Sequence, residues 1–310
     1  MMAKPAVAVL GIFVADLAFK AKRLPVMGET ILGDGFKDGP GGKGSNQVVA
    51  AARAGADARM ITRIGRDTFG AMAQKTWAAH GVNTSAVILD DSLPTGAAFI
   101  FVSTETGNNA IIVESGAAAS LSPADVAAAE PVIADAKVFI TQFEQPIETA
   151  MAGLRLARKH GAITILNPAP AVPVDDTIFP LCDYVTPNET EAASLTGLPV
   201  ETEAQALAAA RALIAKGAKN AVITLGEKGA LLHGEAGTLM VPAFPVAKVV
   251  DTTGAGDAFN GGFALALAEG QSPADAVRFG CALAGLSVQK PGTAPAMPTR
   301  AEIDALLAKR

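Results

Sequence analysis

Short apolar runs and alanine-rich stretches of helical period alternate along most of the chain. The apolar runs are predicted to be strands at 6–14, 58–65, 137–143, 162–168, 184–189, 220–226 and 229–234. The stretches of helical period are predicted to be helices at 43–54, 69–80, 123–134, 146–160, 189–195, 203–216, 256–269 and 273–288. Unalternating apolar strands separated by helices indicate a mostly parallel sheet that is covered on both faces. The pattern therefore predicts an α/β fold, a three-layer sandwich with a mostly parallel central sheet.

Two segments interrupt this alternation, because they have strand propensity and glycine turns but little helical character. They span about 13–40 and 95–116, and the stretch STETGNN at 103–109 predicts a hairpin turn within the second segment. We expect the two segments to form a small β-sheet that lies over the main sheet as a lid. Residues 1–310 are then expected to form a single domain with the lid inserted in its α/β core.

Composition narrows the class of protein. Half of the 310 residues are hydrophobic, and 25 Lys and Arg against 30 Asp and Glu leave a net charge of −5. An acidic chain with scattered basic residues is not typical of a nucleic-acid-binding protein. The two cysteines, Cys182 and Cys281, are far apart, and no apolar run is long enough for a membrane span or a signal peptide. We therefore expect a cytoplasmic protein without disulfides.

Polar residues and glycines follow several of the predicted strands. Ligands of parallel sheets bind at the carboxyl ends of the strands, so these positions are candidates for ligand contact. They are Asp16, Glu144, Asn167, Asn188, Gly226 and Asp251.

The glycine-rich stretch GPGGKGSNQVVAAARAGA at 39–56 leads into a predicted helix. Glycines let the backbone approach a ligand closely, and Asn46, one turn into the helix, is placed to point back at a ligand in the turn. The stretch is not a P-loop, because Lys43 is followed by Gly44 and the GxxxxGK[ST] spacing is absent. By itself it is equally consistent with a glycine turn and a helix cap.

A second glycine-rich stretch, DTTGAGDAFNGGF at 251–263, also opens a predicted helix. The N–H groups of Gly254, Ala255 and Gly256 would form an anion hole at the helix N-terminus, where a transferring phosphoryl group can be stabilised. Asp257 is then either an acidic residue that complements the helix dipole or a general base for a hydroxyl that attacks the phosphoryl group. The combination of residues favours the second interpretation.

These two stretches resemble the signatures of the ribokinase-like (PfkB) carbohydrate kinases. DTTGAGDAFNGGF is similar to the carboxyl-terminal signature and GGKGSNQVVAAARAGA at 41–56 to the amino-terminal one, while NPAPA, TPNETEAASLTG and TLGEKGALL match in order and spacing. The resemblance covers nearly the whole chain. It implies a sandwich with a β lid used for homodimerisation. It also implies ATP and Mg²⁺ as cofactors and K⁺ as an activator. The implied reaction is transfer of the γ-phosphoryl group to a hydroxyl of a small sugar, with ribose as the first candidate.

The resemblance also implies roles for individual residues. Asp257 matches the family base, and Gly254, Ala255 and Gly256 match the anion hole. Sugar-contacting positions are matched by Asp16, Gly41, Gly42, Lys43, Asn46 and Glu144. Nucleotide-side positions are matched by Asn188, Thr224, Gly226 and Gly229, and Glu191 matches a residue tied to Mg²⁺ through water. A potassium site is matched by Asp251 and Thr253 with Ser287, Lys290 and Gly292 from the turn that follows the last predicted helix.

Three positions leave alternatives open. Val14 stands where ribokinases usually carry Asn, which removes a hydrogen-bonding group for a sugar hydroxyl and favours a change of substrate, such as deoxyribose, fructose or a nucleoside. Ala296 stands where a small hydroxyl residue usually ends the potassium turn. Cys281 is either a core residue or part of the adenine pocket. A binding module without catalysis is a further alternative, which the intact Asp257 disfavours.

Overall fold

The computed structural model describes residues 4–309, and within them the chain forms thirteen strands and ten α-helices. The strands are β1 (Ala6–Leu10), β2 (Val14–Ala21), β3 (Gly35–Gly41), β4 (Asp57–Gly65), β5 (Asn83–Asp90), β6 (Thr95–Ser103), β7 (Asn109–Gly116), β8 (Val138–Thr141), β9 (Ile163–Leu166), β10 (Tyr184–Val185), β11 (Asn220–Thr224), β12 (Ala230–Gly234) and β13 (Gly237–Val241). The helices are α1 (Lys43–Ala54), α2 (Thr68–Ala79), α3 (Pro123–Ala128), α4 (Glu130–Ala134), α5 (Ile147–Lys159), α6 (Glu189–Thr196), α7 (Glu203–Ala215), α8 (Ala255–Ala268), α9 (Pro273–Ser287) and α10 (Arg300–Leu307).

A nine-stranded sheet with the order β13-β12-β11-β10-β9-β8-β1-β4-β5 forms the middle layer. The strands from β11 to β5 pair in parallel, whereas β12 and β13 add an antiparallel edge. Both faces of the sheet are buried, and successive side chains of each strand point to opposite faces. In β1, Val7 and Val9 belong to one apolar cluster, and Ala8 and Leu10 belong to the other.

The helices divide between these two clusters. Residues of α1, α2, α8, α9 and α10 pack in the cluster with Val9, and residues of α3 to α7 pack in the cluster with Leu10. The predicted three-layer α/β sandwich with a mostly parallel sheet is therefore confirmed. None of the described helices combines the length and the apolar character needed to cross a membrane.

A second, four-stranded sheet has the order β3-β2-β6-β7. Its central pair, β2 and β6, is parallel, and the two outer pairs are antiparallel. Its strands come from the segments predicted to form a lid, and β6 and β7 are joined by the predicted hairpin turn. We call this sheet the lid. It carries large apolar side chains that face solvent, including Phe36, Ile111 and Ile112.

Three details differ from the sequence predictions. The predicted strand at 6–14 is not continuous: β1 ends at Leu10, and Val14 begins β2 of the lid. The predicted helix at 123–134 is two helices, because Pro131 stands at the start of α4 and lacks the N–H that would continue α3. Strands β5 and β13 and helix α10 were not among the predicted elements.

Candidate active site

One cavity of about 160 Å³ lies at the carboxyl ends of the central strands. Asn167, which follows β9, Thr186, which follows β10, and Thr224, the last residue of β11, line one side of it. Lys43 at the start of α1 and residues 254–257 at the start of α8 line the other. The two glycine-rich stretches, which are about 200 residues apart in the sequence, therefore meet at the strand ends where a ligand of a parallel sheet is expected.

Asp257, the third residue of α8, is buried with 6% of its surface exposed. Asn46 Nδ2 donates to its Oδ2 at 2.9 Å, and Gln47 Nε2 donates to its Oδ1 at 3.0 Å. Burial raises the pKa of Asp257, whereas the charge of Lys43 and the two amide donors favour the ionised form. The result is a desolvated carboxylate that is held by specific donors and is more basic than an exposed Asp.

Close packing of α1 on α8 brings these groups together. Gly261 has no side chain, and a Cβ at this position would lie 2.5 Å from Ala50 Cβ and 2.6 Å from the carbonyl oxygen of Gln47. Any larger residue would push the helices apart. Gly261 thus lets the helix that carries Asn46 and Gln47 approach the helix that carries Asp257.

A chain of buried amides and a hydroxyl continues behind the carboxylate. Gln47 Nε2 also donates to Asn167 Oδ1 at 3.0 Å, and Asn167 Nδ2 donates to the carbonyl oxygen of Thr186 at 3.0 Å. Thr186 Oγ1 donates to Asn260 Oδ1 at 2.6 Å, and Asn260 Nδ2 donates to the carbonyl oxygen of Gly256 at 2.9 Å. These bonds connect α1 and the ends of β9 and β10 to the first turn of α8.

The carboxylates of Asp257, Glu144 and Glu191 interact with Lys43. Its backbone N–H donates to Glu144 Oε2 at 2.8 Å. Burial disfavours the Lys43 ammonium, but the charges of Asp257, Glu144 and Glu191 outweigh this effect and raise its pKa. Burial raises the pKa of Glu144 to about 7, and burial together with the charge of Asp257 raises that of Asp16 to about 6. The predicted sugar-side residues thus form a polar, partly desolvated group next to Asp257.

The two glycines before α1 shape this side of the cavity. Gly41 ends β3 opposite Val14, and a Cβ there would overlap the carboxylate of Asp16. Gly42 has a φ of 86° and precedes α1, a backbone conformation that residues with a Cβ rarely adopt. Asn46 Oδ1 is buried and accepts no hydrogen bond from residues 4–309.

The N-terminus of α8 is open to an anion. Gly254 precedes it with a φ of 77°, and no side chain caps the helix within the described part of the chain. A Cβ on Gly256 would meet no atom within 4 Å, so the backbone here borders open space. The N–H of Ala255 donates to the carbonyl oxygen of Thr252 at 3.1 Å, so of the predicted anion hole the N–H groups of Gly254 and Gly256 are left to face the cavity with the positive dipole end of α8.

The predicted nucleotide-side residues lie next to this helix start. Asn188 and Thr224 form a parallel β-bridge and both line the cavity with Glu191. Asn188 and Glu191 form a capping box, in which Asn188 Oδ1 accepts from the N–H of Glu191 at 2.8 Å and Glu191 Oε2 accepts from the N–H of Asn188 at 2.9 Å. Gly226 and Gly229 are in the turn after β11, both with positive φ.

The predicted potassium residues are also adjacent. Asp251 accepts from the N–H of Thr253 and from the N–H of Gly292, both at 2.9 Å, so its carboxylate joins the segment before α8 to the turn after α9. Two side chains of the set are bonded elsewhere: Ser287 Oγ donates to the carbonyl oxygen of Ala284, and Lys290 Nζ donates to Glu302 Oε1. The ammonium of Lys290 cannot bind a cation, whereas Ser287 Oγ uses only its proton in this bond and keeps its lone pairs for a cation.

The cavity lining does not include Cys281, Val14 or Ala296, nor the predicted ligand-contact residues Asp16, Gly41, Gly42, Asn46, Glu144, Gly226 and Gly229. Cys281 is buried in the apolar cluster of α8 and α9. Val14 packs with Ile12 and Ala98 in a small apolar cluster under the lid. Ala296 is also buried.

Sequence reasoning assigned no role to Gln47, Gln142 or Asn260. Asn260 carried a usable signal, since it is a polar residue one turn after Asp257 in an otherwise apolar helix. The sequence contains no comparable signal for Gln47 and Gln142, because the residues to which their side-chain amides are hydrogen-bonded lie 95 or more positions away in the chain.

Residues 4–300 match the family model described as pfkB family carbohydrate kinase. Among curated proteins, the chain is 40% identical over 294 residues to a ribokinase of Haemophilus influenzae, covering 95% of both chains. It is 38% identical over 294 residues to a deoxyribokinase of Salmonella typhi, covering 94% of this chain and 95% of the relative. Among solved structures, Arabidopsis thaliana ribokinase complexed with ribose and ATP superposes with a TM-score of 0.90 at 32% identity, covering 99% of each chain.

Proposed function

The chain belongs to the pfkB family of carbohydrate kinases, and we propose that it is an ATP-dependent kinase that converts D-ribose to ribose 5-phosphate. The observation that carries this proposal is a buried carboxylate, Asp257, directly beside an uncapped helix N-terminus in a cavity at the strand ends. The lining of this cavity includes Asn188 and Thr224, suited to a nucleotide, and Lys43 and Asp257, which contact the proposed sugar residues Glu144 and Asn46 outside the lining. The ribokinase relatives and the similarity to a ribokinase with ribose and ATP support the same substrates.

In the proposed reaction Asp257 Oδ2 accepts the proton of the sugar 5-hydroxyl as its oxygen attacks the γ-phosphorus of ATP. A new P–O bond forms, the bond from the γ-phosphorus to the bridging oxygen breaks, and ADP leaves with that electron pair. The N–H groups of Gly254 and Gly256, together with the positive dipole end of α8, stabilise the charge that develops on the transferred group. Positioning by these groups accounts for most of the expected rate enhancement, because phosphoryl transfer requires little covalent assistance from the protein.

Sugar binding is proposed to involve Asp16, Glu144 and Asn46. Carboxylates accept hydrogen bonds from two hydroxyls at a time, a pattern suited to vicinal hydroxyl groups. The Oδ1 of Asn46, which accepts no hydrogen bond from the described part of the chain, is a further acceptor in the same region. A buried acceptor without a donor costs free energy, which a sugar hydroxyl would recover on binding.

A second candidate substrate is 2-deoxyribose. Val14 packs in an apolar cluster and offers no hydrogen bond to a sugar, and a deoxyribokinase is among the relatives. A site that lacks one hydroxyl partner discriminates less against a sugar that lacks one hydroxyl.

Mg²⁺ and K⁺ are proposed as the cations. Within residues 4–309 no group of three His, Cys, Asp or Glu side chains is arranged to hold a metal ion. Glu191 at the cavity therefore fits a Mg²⁺ that is held mainly by phosphates and water, the usual coordination of this ion in kinases. When bound, Mg²⁺ neutralises phosphate charge. Asp251 and the main-chain oxygens of the turn after α9 fit K⁺, which prefers oxygen ligands.

The proposed assembly is a homodimer through the lid. Phe19 contacts Phe36 and Phe99 with ring centroids 4.8 and 5.7 Å apart, and all three rings are at least 37% exposed. A partner's lid would cover this aromatic group and the adjacent strand edges. A monomeric mass in light scattering at micromolar concentration would contradict the dimer. The proposed location is the cytoplasm, in keeping with two free, buried cysteines.

The proposed function is tested by ADP release with Mg·ATP, with and without K⁺, on ribose, 2-deoxyribose, fructose and adenosine. We expect the highest kcat/KM with ribose, and a higher value with 2-deoxyribose identifies the second candidate. Asp257→Asn is expected to lower kcat by about 10²- to 10⁴-fold while calorimetry shows unchanged ribose binding. Full activity of this variant would refute the assignment of the base.

A further inference from the structure

Two glutamine amides lie in series behind Asp257. Gln47 Nε2 donates to Asp257 Oδ1 at 3.0 Å, and Gln142 Nε2 donates to Gln47 Oε1 at 2.5 Å. Both glutamines have 0% of their surface exposed. Gln142 directly follows β8, so this series runs from a central strand of the sheet, through α1, to the first turn of α8.

The bond from Gln142 supports one of the two orientations of the Gln47 amide. Gln47 Nε2 serves two oxygens at once, Asp257 Oδ1 and Asn167 Oδ1. If the amide were rotated by half a turn, Gln47 Oε1 would face both oxygens without a proton between them, and Gln47 Nε2 would face the donor of Gln142. An amide carries its donors and its acceptor at opposite ends, so the donor from Gln142 favours the same orientation as the two acceptor oxygens and secures the end of the amide that faces away from Asp257.

The backbone of Gln142 is held in place, while its side-chain Oε1 is buried and accepts no hydrogen bond from residues 4–309. Gln145 Nε2 donates to the carbonyl oxygen of Gln142 at 2.6 Å, which fixes the backbone just after β8. Gln142 Oε1 lies where a Cβ of Gly11 would be, so the absence of a side chain at Gly11 makes room for the amide. The break between β1 and the lid therefore provides the space that this glutamine occupies.

The two oxygens of Asp257 consequently have different surroundings. Oδ1 is bonded to a fully buried amide, whereas Oδ2 is bonded to Asn46, whose own Oδ1 has no partner among the described residues. We propose that Gln47, oriented by Gln142, is a positioning residue that holds Asp257 Oδ1 and leaves Oδ2 as the oxygen that receives the proton of the sugar hydroxyl. This inference rests on the proposed function and adds to it the residues that align its base.

The test compares the pH profiles of two variants with that of the unaltered chain. Gln47→Glu keeps the shape but places a second carboxyl group against Asp257, and like charges raise a pKa. We expect the acid limb of kcat/KM for ribose to move up by about one pH unit or more. Gln142→Met removes only the donor that orients Gln47, and we expect kcat to fall about tenfold with KM for ribose nearly unchanged.

Thr149→Val is the matched control. It removes one buried hydrogen bond, from Thr149 Oγ1 to the carbonyl oxygen of Leu121 at 2.7 Å, and Thr149 has no hydrogen bond to Gln47, Gln142 or Asp257. We expect it to lower the melting temperature while kcat and the acid limb stay as in the unaltered chain. If it lowers kcat as much as Gln142→Met does, the effect is structural and the inference is wrong.

The remaining outcomes separate the inference from the proposed function. Suppose that the unaltered chain phosphorylates ribose and that Asp257→Asn abolishes this activity. If the acid limb of the pH profile then does not move in Gln47→Glu, only the inference is refuted. If the unaltered chain phosphorylates no sugar, the proposed function is refuted as well. If Gln47→Glu does not fold, the kcat and KM of Gln142→Met decide.

Discussion

Replacing Glu144 by Gln is expected to stabilise the protein at alkaline pH while weakening sugar binding. The side chain is partly buried, and its Oε2 accepts the N–H of Lys43 at 2.8 Å. Burial raises its pKa from the ordinary 4.5 to about 7, against the opposing effect of the Lys43 charge and N–H. The carboxylate is thus held in an environment that favours its neutral form, next to the cavity where a sugar is proposed to bind.

The sign of the pH dependence follows from proton binding. Between pH 4.5 and about 7 the folded protein keeps the Glu144 proton that the unfolded chain releases. The free energy of unfolding therefore decreases as pH rises through this range and stays low above pH 7. A shift from 4.5 to about 7 corresponds to a cost of at most about 3 kcal/mol above pH 7.

Glu144→Gln removes this cost, because the amide is neutral at every pH and its oxygen still accepts the N–H of Lys43. The Lys43 ammonium loses one neighbouring carboxylate, which reduces the gain. We therefore expect the free energy of unfolding to rise by about 1–3 kcal/mol at pH 8 and by less than about 1 kcal/mol at pH 5. A hydrogen bond to a charged group contributes about 1.5–3 kcal/mol, so ribose affinity at pH 8 should fall about 10- to 150-fold.

Urea unfolding at pH 5 and pH 8 measures the stability change, and calorimetry with ribose measures the affinity. Glu235→Gln is the control, because Glu235 is exposed and the substitution makes the same change in charge. A Glu144→Gln variant that is no more stable than the unaltered chain at pH 8, or whose gain is the same at both pH values, would refute the reasoning.

Two further predictions concern contacts that align the site. Thr293 Oγ1 donates to the carbonyl oxygen of Pro40 in the lid at 2.7 Å, and a Cβ on Gly254 would lie 3.2 Å from its methyl carbon. Thr293→Val should therefore lower kcat/KM for ribose about 2- to 10-fold in steady-state kinetics, whereas Thr293→Ser, which keeps the hydroxyl, should retain most activity. Equal values for the two variants would contradict this role. Gly261→Ala should lower the free energy of unfolding by about 1–3 kcal/mol in urea, because its methyl group would overlap Ala50, and should also lower kcat. An unchanged stability would show that α1 and α8 separate without cost.

Elements with local signals were predicted closely. The helix predicted at 256–269 is observed at Ala255–Ala268, because glycines and an acidic residue before an apolar periodic run determine a helix start locally. The helix predicted at 43–54 begins and ends at the predicted residues for the same reason. Asp257 was likewise a candidate from the sequence, since its position beside Gly254–Gly256 is a property of consecutive residues.

The break after Leu10 depends on contacts that the sequence pattern does not contain. Ile12 and Phe13 are as apolar as the residues of β1 and are fully buried, so periodicity does not distinguish them from a continuing strand. Strand β1 ends here because Gly11 packs closely against Gly44 and the side chain of Gln142. These contacts join residues that are far apart in the chain.

The sequence by itself determined the family, the layered fold and the two glycine-rich stretches that form the site, because each is encoded by neighbouring residues or by periodicity. Only the tertiary structure decided the surroundings of Asp257. Gln47 lies 210 residues before Asp257 and 95 before Gln142, and in the sequence it is one polar residue at the start of a helix. A carboxylate acquires its basicity and orientation from burial and from the donors around it, and both arise only when distant segments pack together.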